Sequence, residues 1–371
     1  MTATAITKET VLEALARVPA PGADGSDLVR EGWVKQLEAG PERVAFRIEV
    51  PGPLTPARQG LAEACRQALR PLIGGREPAI ELLSRIPASY VAEGPQALAP
   101  GVKNFVAVGS GKGGVGKSTV AANLACGLAR AGARTGLLDV DVFGPSVPLL
   151  FGVTREAFME EMTLRAHQRG QGPGEEERPT LHPYERYGVA TMSIGYLIEE
   201  DRAAIWRGPM VHSAIQQLLR DTAWGELDYL VLDLPPGTGD AQLTISQSIP
   251  LAGAVIVCTP QPVALADARK AVNMFKTTKT QVLGLIENMS GEVFGRGGAR
   301  DAAEEGGIPF LGELELDPRV RHSGDQGQPL LARDDASGPV VDALWGAIDR
   351  LTVTLARQAK QKPRALPVRR T

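Results

Sequence analysis

Apolar residues follow two rhythms along this chain. From residue 105 onward, short unbroken apolar runs alternate with stretches in which apolar residues recur every three or four positions. The unbroken runs predict strands at 105–110, TGLLDVDV (135–142), VATMSIG (189–195), YLVLDLP (229–235), AVIVCTP (254–260) and VLGLIENM (282–289). Helical spacing predicts helices at 117–131, 209–220 and 263–275. A repeating β and α order of this kind is the signature of an α/β fold, a mostly parallel sheet with helices on both faces. Ligands in such sheets sit at the carboxyl ends of the strands.

The first part of the chain reads differently. Residues 1–85 predict a small α+β domain: a helix through Val11, Leu12 and Leu15, the stretch DLVREGWVKQLEAG, an alternating strand ERVAFRIEV and a helix ARQGLAEACRQAL, separated by Gly/Pro turns. Residues 86–102 mix Pro, Gly and Ala without periodicity and read as a linker. The larger domain then spans 103–357, with an irregular insert at about 154–186 expected to be a mobile excursion. Near its end, apolar residues at 341, 344, 345, 348, 351 and 355 predict an amphipathic helix that packs on the sheet. The basic stretch 358–371 is expected to be a disordered tail.

The chemistry begins directly after the apolar run at 105–108. GSGKGGVGKST, residues 109–119, fits the phosphate-loop pattern of Gly, four residues, Gly, Lys, Ser/Thr, and it lies between a predicted strand and a predicted helix. Glycines at 111, 113, 114 and 116 let successive backbone N–H groups turn inward on an anion. Lys117 is expected to reach the β- and γ-phosphates of ATP and Ser118 to hold Mg²⁺, with Val115 and Thr119 completing the loop. Three acids follow at strand ends: Asp139 and Asp141, two apart and able to face the same way, and Asp233, placed to hold Mg²⁺ through its water ligands. The fold class is therefore that of a P-loop NTPase.

Composition narrows the partners. The 371 residues carry a formal charge of −3, with 43% hydrophobic and 22% charged residues. That balance gives no global attraction to nucleic acid or anionic lipid. No apolar run approaches the ~18 residues needed to cross a bilayer, and MTATAITKETVLEAL lacks the basic and apolar blocks of a secretory signal. The expectation is a cytoplasmic protein without membrane insertion or nucleic-acid binding. Cys65, Cys126 and Cys258 form no CxxC, and Cys126 and Cys258 read as small buried hydrophobes. The four histidines show no ligand spacing.

Taken in order, GKGGVGKST, LDVDVFGPS, IWRGPM, DYLVLDLPPGTGDAQLT, ENMS and FLGELELDPRVRHSGDQGQPL resemble the Mrp/ApbC iron-sulfur cluster carrier family of P-loop ATPases, over about 103–332. This family lies within the MinD/ParA group, marked by an additional lysine that here is Lys112. Residues 1–85 resemble the small module of iron-sulfur assembly proteins, without its Asp-Pro turn and without the cysteine usual after the Thr-Pro step. The resemblance implies an ATP-hydrolysing homodimer that sandwiches two nucleotides and works with iron-sulfur client or assembly proteins. It implies that Lys112 reaches the partner subunit's nucleotide, that Asp141 positions the attacking water with Asp139 beside the metal, and that Asn288 lies near adenine. The chain departs from the family after ENMS, where many members carry a CxxC and this one reads GEVFGRGGAR. Cluster binding at that place has no local cysteine to support it, which leaves Cys65 or Cys258 across a dimer. The alternative function is a MinD/ParA-like, nucleotide-switched scaffold or positioning ATPase without a cluster.

Overall fold

The structure is a computed structural model, and it describes residues 5–90, 98–142, 144–168, 181–197 and 208–361. Helix α1 (Lys8–Leu15), strands β1 (Val34–Ala39) and β2 (Val44–Val50), helices α2 (Pro56–Gln59) and α3 (Leu61–Ile73) and strand β3 (Ala79–Ser84) form the first unit. Its sheet has the order β1-β2-β3, with β1 antiparallel and β3 parallel to β2. α3 buries Leu61, Cys65, Leu69 and Ile73, one residue per turn, against Phe46, Ile48, Leu15 and Trp33. A three-stranded sheet with one apolar face needs such a helix to close its core.

The second unit is built on an eight-stranded sheet of β4 (Phe105–Gly109), β5 (Thr135–Asp139), β6 (Tyr184–Arg186), β7 (Val189–Ser193), β8 (Tyr229–Asp233), β9 (Leu251–Cys258), β10 (Val282–Ser290) and β11 (Phe310–Glu315). Their order is β11-β10-β9-β4-β8-β5-β7-β6, and only β6 runs antiparallel to its neighbour. β4, β5 and β8 are buried along their whole length, which is why they appear as unbroken apolar runs. Helices α4 (Lys117–Arg130), α5 (Val147–Phe151), α6 (Arg155–Gln168), α7 (Gly208–Asp221), α8 (Asp240–Ser248), α9 (Pro262–Thr277), α10 (Gly298–Gly306), α11 (Pro318–Asp325) and α12 (Pro339–Gln361) cover both faces. α4 and α12 touch each other and the sheet, while α7 to α10 form a contiguous row. α4 approaches α12 closely at Gly127, where a Cβ would displace the ends of the Ile348 and Leu331 side chains.

Four predicted segments differ in detail. The strand expected over 135–142 stops at Asp139, because the Asp139 carboxylate accepts the N–H groups of Asp141 and Val147 and turns the chain. The insert expected to be irregular begins with α6. Thr154 Oγ1 accepts the Ala157 N–H at its start, and Phe158 is buried, stacked on Tyr196 at 4.7 Å. Residues 169–180 lie outside the described residues. In the stretch 86–102, Ile86, Tyr90 and Leu98 pack on the larger core and the Ser89 and Tyr90 N–H groups donate to the Lys103 carbonyl, while 91–97 fall outside the description. The amphipathic helix continues to Gln361, and the basic segment beyond it is likewise outside.

α12 is buried on two sides. Leu344, Ile348, Leu351 and Leu355 join the sheet core, whereas Val353 belongs to the core of the first unit. Between the units, Arg58 of α2 reaches Asp349 and Thr352, and both the guanidinium and the carboxylate are buried.

Candidate functional site: a phosphate loop with three carboxylates

The sheet register brings the site together. Val108 at the end of β4 pairs with Asp233, and Asp233 pairs with Asp139, so the phosphate loop and two acids leave adjacent strands at the same level. Backbone bonds tie the segments beyond them: Leu234 N–H to Val108 O, Val140 N–H to Asp233 O, and Gly237 N–H to Ser110 O. The loop then enters α4 through Gly116, which has φ +82 and no room for a Cβ, since Asn288 Nδ2 would lie 2.3 Å away. At Gly111 a Cβ would sit 2.1 Å from the Asp267 carbonyl oxygen. Gly113 and Gly114 face open space, where an anion could approach the backbone.

Lys117 is 6% exposed and already engaged. Its ammonium lies 2.6 Å from Asp233 Oδ1, 3.2 Å from Ser118 Oγ and 3.7 Å from Asp141 Oδ2. Asp233 is fully buried, and its Oδ2 takes no aligned hydrogen bond among the described residues, although the Ser118 hydroxyl is near enough to ease its charge. Burial pushes the Asp233 carboxyl above the usual carboxylate range and Lys117 pulls it back. Asp139 is shifted the same way, by burial first and then by Asp233. Both of its oxygens are occupied: Oδ1 accepts from the Asp141 N–H, Oδ2 from the Val147 N–H and the Ser193 hydroxyl. Asp139 thus braces the turn that carries Asp141, and spare coordinating capacity at the magnesium residues named from sequence rests with Asp233 and Ser118.

A cleft of about 580 Å³ opens over the loop. Gly113, Gly114, Gly116, Ser118, Thr119 and Lys112 line one end, and Asp141 reaches it from the side. Val115 is buried beneath. Lys112 is half-buried, and its carbonyl accepts the Ser110 hydroxyl. Leu149 and Leu150 of α5 and Val320 and Arg321 of α11 also line the cleft. Sequence reasoning assigned none of these four, nor Ser193; the only signal was position, a Ser at a strand's carboxyl end and a quoted but unused DPRVRHSG segment. Asn288 is not among the lining residues. Its amide donates to the Val115 carbonyl at 2.9 Å, and Met289 beside it holds a left-handed φ of 59. Asn288 therefore braces the phosphate loop through its bond to Val115.

A strand, glycine loop and helix with a buried lysine among carboxylates are the parts of a nucleotide site, and the comparisons agree. A family model described as NUBPL iron-transfer P-loop NTPase matches residues 101–349. The chain belongs to this family. A second model, for iron-sulfur cluster assembly proteins, matches residues 8–82. An iron-sulfur cluster carrier protein from Deinococcus radiodurans is 41% identical over 97% of this chain and 99% of its own length. The iron-sulfur cluster transfer protein NUBPL of Dictyostelium discoideum is 49% identical over 62% of this chain and 70% of its own. Among solved structures, a nucleotide-binding protein from Archaeoglobus fulgidus in complex with ADP is 36% identical and covers 64% of this chain and 93% of its own, with a TM-score of 0.50. The septum site-determining protein MinD from Pyrococcus horikoshii, with Mg-ADP, shares the fold at 21% identity and a TM-score of 0.50, covering 66% of this chain and 94% of its own. No helix among the described residues is long and apolar enough to cross a membrane.

Proposed function

We propose that this chain binds and hydrolyses ATP, as a homodimer in the cytoplasm, to serve the transfer of iron-sulfur clusters to apoproteins. The observation that carries the ATP part is Lys117, held in a glycine loop between Asp233 and Asp141, with Asp233 Oδ2 taking no aligned hydrogen bond among the described residues. The iron-sulfur part is supported by the carrier and transfer proteins to which the chain is similar over most of its length.

In this reading the loop N–H groups receive the phosphates and Lys117 exchanges Asp233 for the β- and γ-phosphate oxygens. Ser118 and Asp233 have the chemistry to hold Mg²⁺, which when bound neutralises charge on the phosphate oxygens. Asp141, positioned through Asp139, orients the attacking water. Lys112 supplies positive charge to the nucleotide of the partner subunit, where charge develops in the transition state. Leu149, Leu150 and Val320 add apolar surface to the same cleft. A scaffold or positioning ATPase is the less supported alternative, because the likeness to MinD is one of fold.

Titration calorimetry and phosphate release test the nucleotide roles. Lys117→Ala is expected to abolish ATP binding, and Asp141→Ala to retain binding but lose turnover. Normal turnover in either variant refutes the assignment. Lys112→Ala is expected to lose turnover and to regain part of it when mixed with the Asp141 variant. For the iron-sulfur part, this chain should restore [4Fe–4S] enzyme activity in Escherichia coli lacking its own relative, which is 46% identical over 62% of this chain. Lys117→Ala should not restore it, and no rescue by the native chain defeats the reading.

A further inference from the structure

The segment after β10 offers a metal no thiolate, and its backbone forms a tight hairpin. Gly291 and Gly295 exchange both of their N–H···O bonds at 2.8 Å, which leaves a loop of only Glu292, Val293 and Phe294. None of the five positions from Gly291 to Gly295 is a cysteine, so the hairpin carries no Cys-x-x-Cys pair. Its base is fixed on both sides. Arg296 bonds Glu313 and Glu315 on β11, and buried Glu287 accepts the N–H groups of Gly297 and Ala299 at 2.7 Å. The hairpin presents Val293, 75% exposed, and carries no sulfur, nitrogen or oxygen ligand beyond the single carboxylate of Glu292.

The three cysteines lie elsewhere, and all are inside. Cys65 is in the core of the first unit, Cys126 in the middle of α4, and Cys258 at the end of β9 with its Sγ 3.9 Å from the Ile286 carbonyl oxygen. None is more than 1% exposed. Burial pushes the Cys65 and Cys258 thiols up to about 12 and raises Cys126 as well. Cluster iron is held by thiolates, and a buried thiol kept protonated in apolar surroundings is inert. Bridging two subunits would also require a cysteine at the surface. Among the described residues, no group of three or more His, Cys, Asp and Glu is arranged to hold a metal ion.

We infer that this chain keeps no iron-sulfur cluster of its own, and that every thiolate ligand of its cargo comes from a partner protein that presents the cluster on its own cysteines. This deepens the function proposed above and rests on it. ATP binding and hydrolysis would then alter the chain's hold on a cluster-bearing partner, and the cluster would pass by thiolate exchange from that partner's cysteines to those of the apoprotein without resting on this chain.

The test is anaerobic reconstitution of the full chain with ferrous iron, sulfide and dithiothreitol, followed by desalting, visible spectroscopy and iron and sulfide analysis. Colourless protein with iron well below one atom per chain is expected. A stoichiometric chromophore near 400 nm overturns the inference, and its loss or persistence in C65A/C126A/C258A shows which ligands were missed. Thiol titration gives an independent reading: no cysteine should react with a disulfide reagent in the native protein, and all three should react in guanidinium. A native thiol reacting at the unfolded rate overturns the inference equally. A chain that stays colourless yet fails to rescue the Escherichia coli strain would strike the iron-sulfur function and not this inference, whereas rescue by a colourless chain supports both.

Discussion

Asp349→Ala is expected to be among the most damaging single substitutions outside the nucleotide site. Arg58 is 0% exposed and Asp349 nearly so, with Nε 2.8 Å from Oδ1 as a contact between charges. The guanidinium also donates to the carbonyls of Pro51, Pro53 and Asp349 and to the Thr352 hydroxyl, and Thr55 donates to the same Asp349 oxygen. Burial opposes the charge on both groups, lowering the Arg58 pKa and raising that of Asp349, and each partner eases the other. Water scarcely reaches the pair, so the discount applied to surface ion pairs does not hold here. Removing the carboxylate leaves four neutral acceptors around an uncompensated buried cation, at a cost of about 3–5 kcal/mol. Replacing both partners, as in R58M/D349L, should recover most of that loss, because well-packed apolar side chains often match a buried pair. Urea denaturation followed by circular dichroism measures both. A D349A protein within about 1 kcal/mol of wild type, the range of an exposed pair, would refute the reasoning, as would a double variant no more stable than the single one.

Two further outcomes follow from single contacts in the fold. Asn288→Ala removes the bond to the Val115 carbonyl, and should weaken ATP binding several-fold, on the order of 1 kcal/mol for one hydrogen bond, as read by calorimetry; unchanged affinity would deny Asn288 its bracing role. Asp228 is shifted below the ordinary carboxylate value of 3.8: burial raises it, but bonds from Lys103 and Arg134 outweigh that. A depressed pKa contributes stability above 3.8 that is lost as pH falls through the lower folded value, so Asp228→Asn should lower stability at neutral pH and flatten the acid-side decline below about pH 4. An unchanged pH profile in urea melts would contradict it.

The parts of the site legible in the sequence were those set by local rules. A glycine loop between a strand and a helix, and acids that end buried strands, are fixed by spacing, and the register then placed Asp139 beside Asp233. What stayed hidden depends on residues far apart. Nothing near Asn288 indicates that its amide meets Val115, 173 positions away. Arg58 in LTPARQ looks like any helix-start arginine until α12 arrives to bury it. α6 is not legible in the sequence because it has little apolar periodicity; it is held by Phe158 stacked on Tyr196 and by Met162 packed on the core. The family resemblance implied that Asn288 lies near adenine, and the structure adds a contact that no local rule announces, its amide bond to the Val115 carbonyl.

The two-sided burial of α12 also imposes an order on how the molecule is made. Thr55 and Arg58 leave the ribosome early, but the oxygens that receive them belong to residues 294 positions downstream. Until α12 is synthesised and seated on the sheet, the face of the first unit around Gly22 and Gly52, shaped to accept the helix backbone and Thr352, stays in water with its arginine solvated. The unit translated first is therefore the last to be put in place, and its docking marks the completion of the nucleotide-binding unit beneath it.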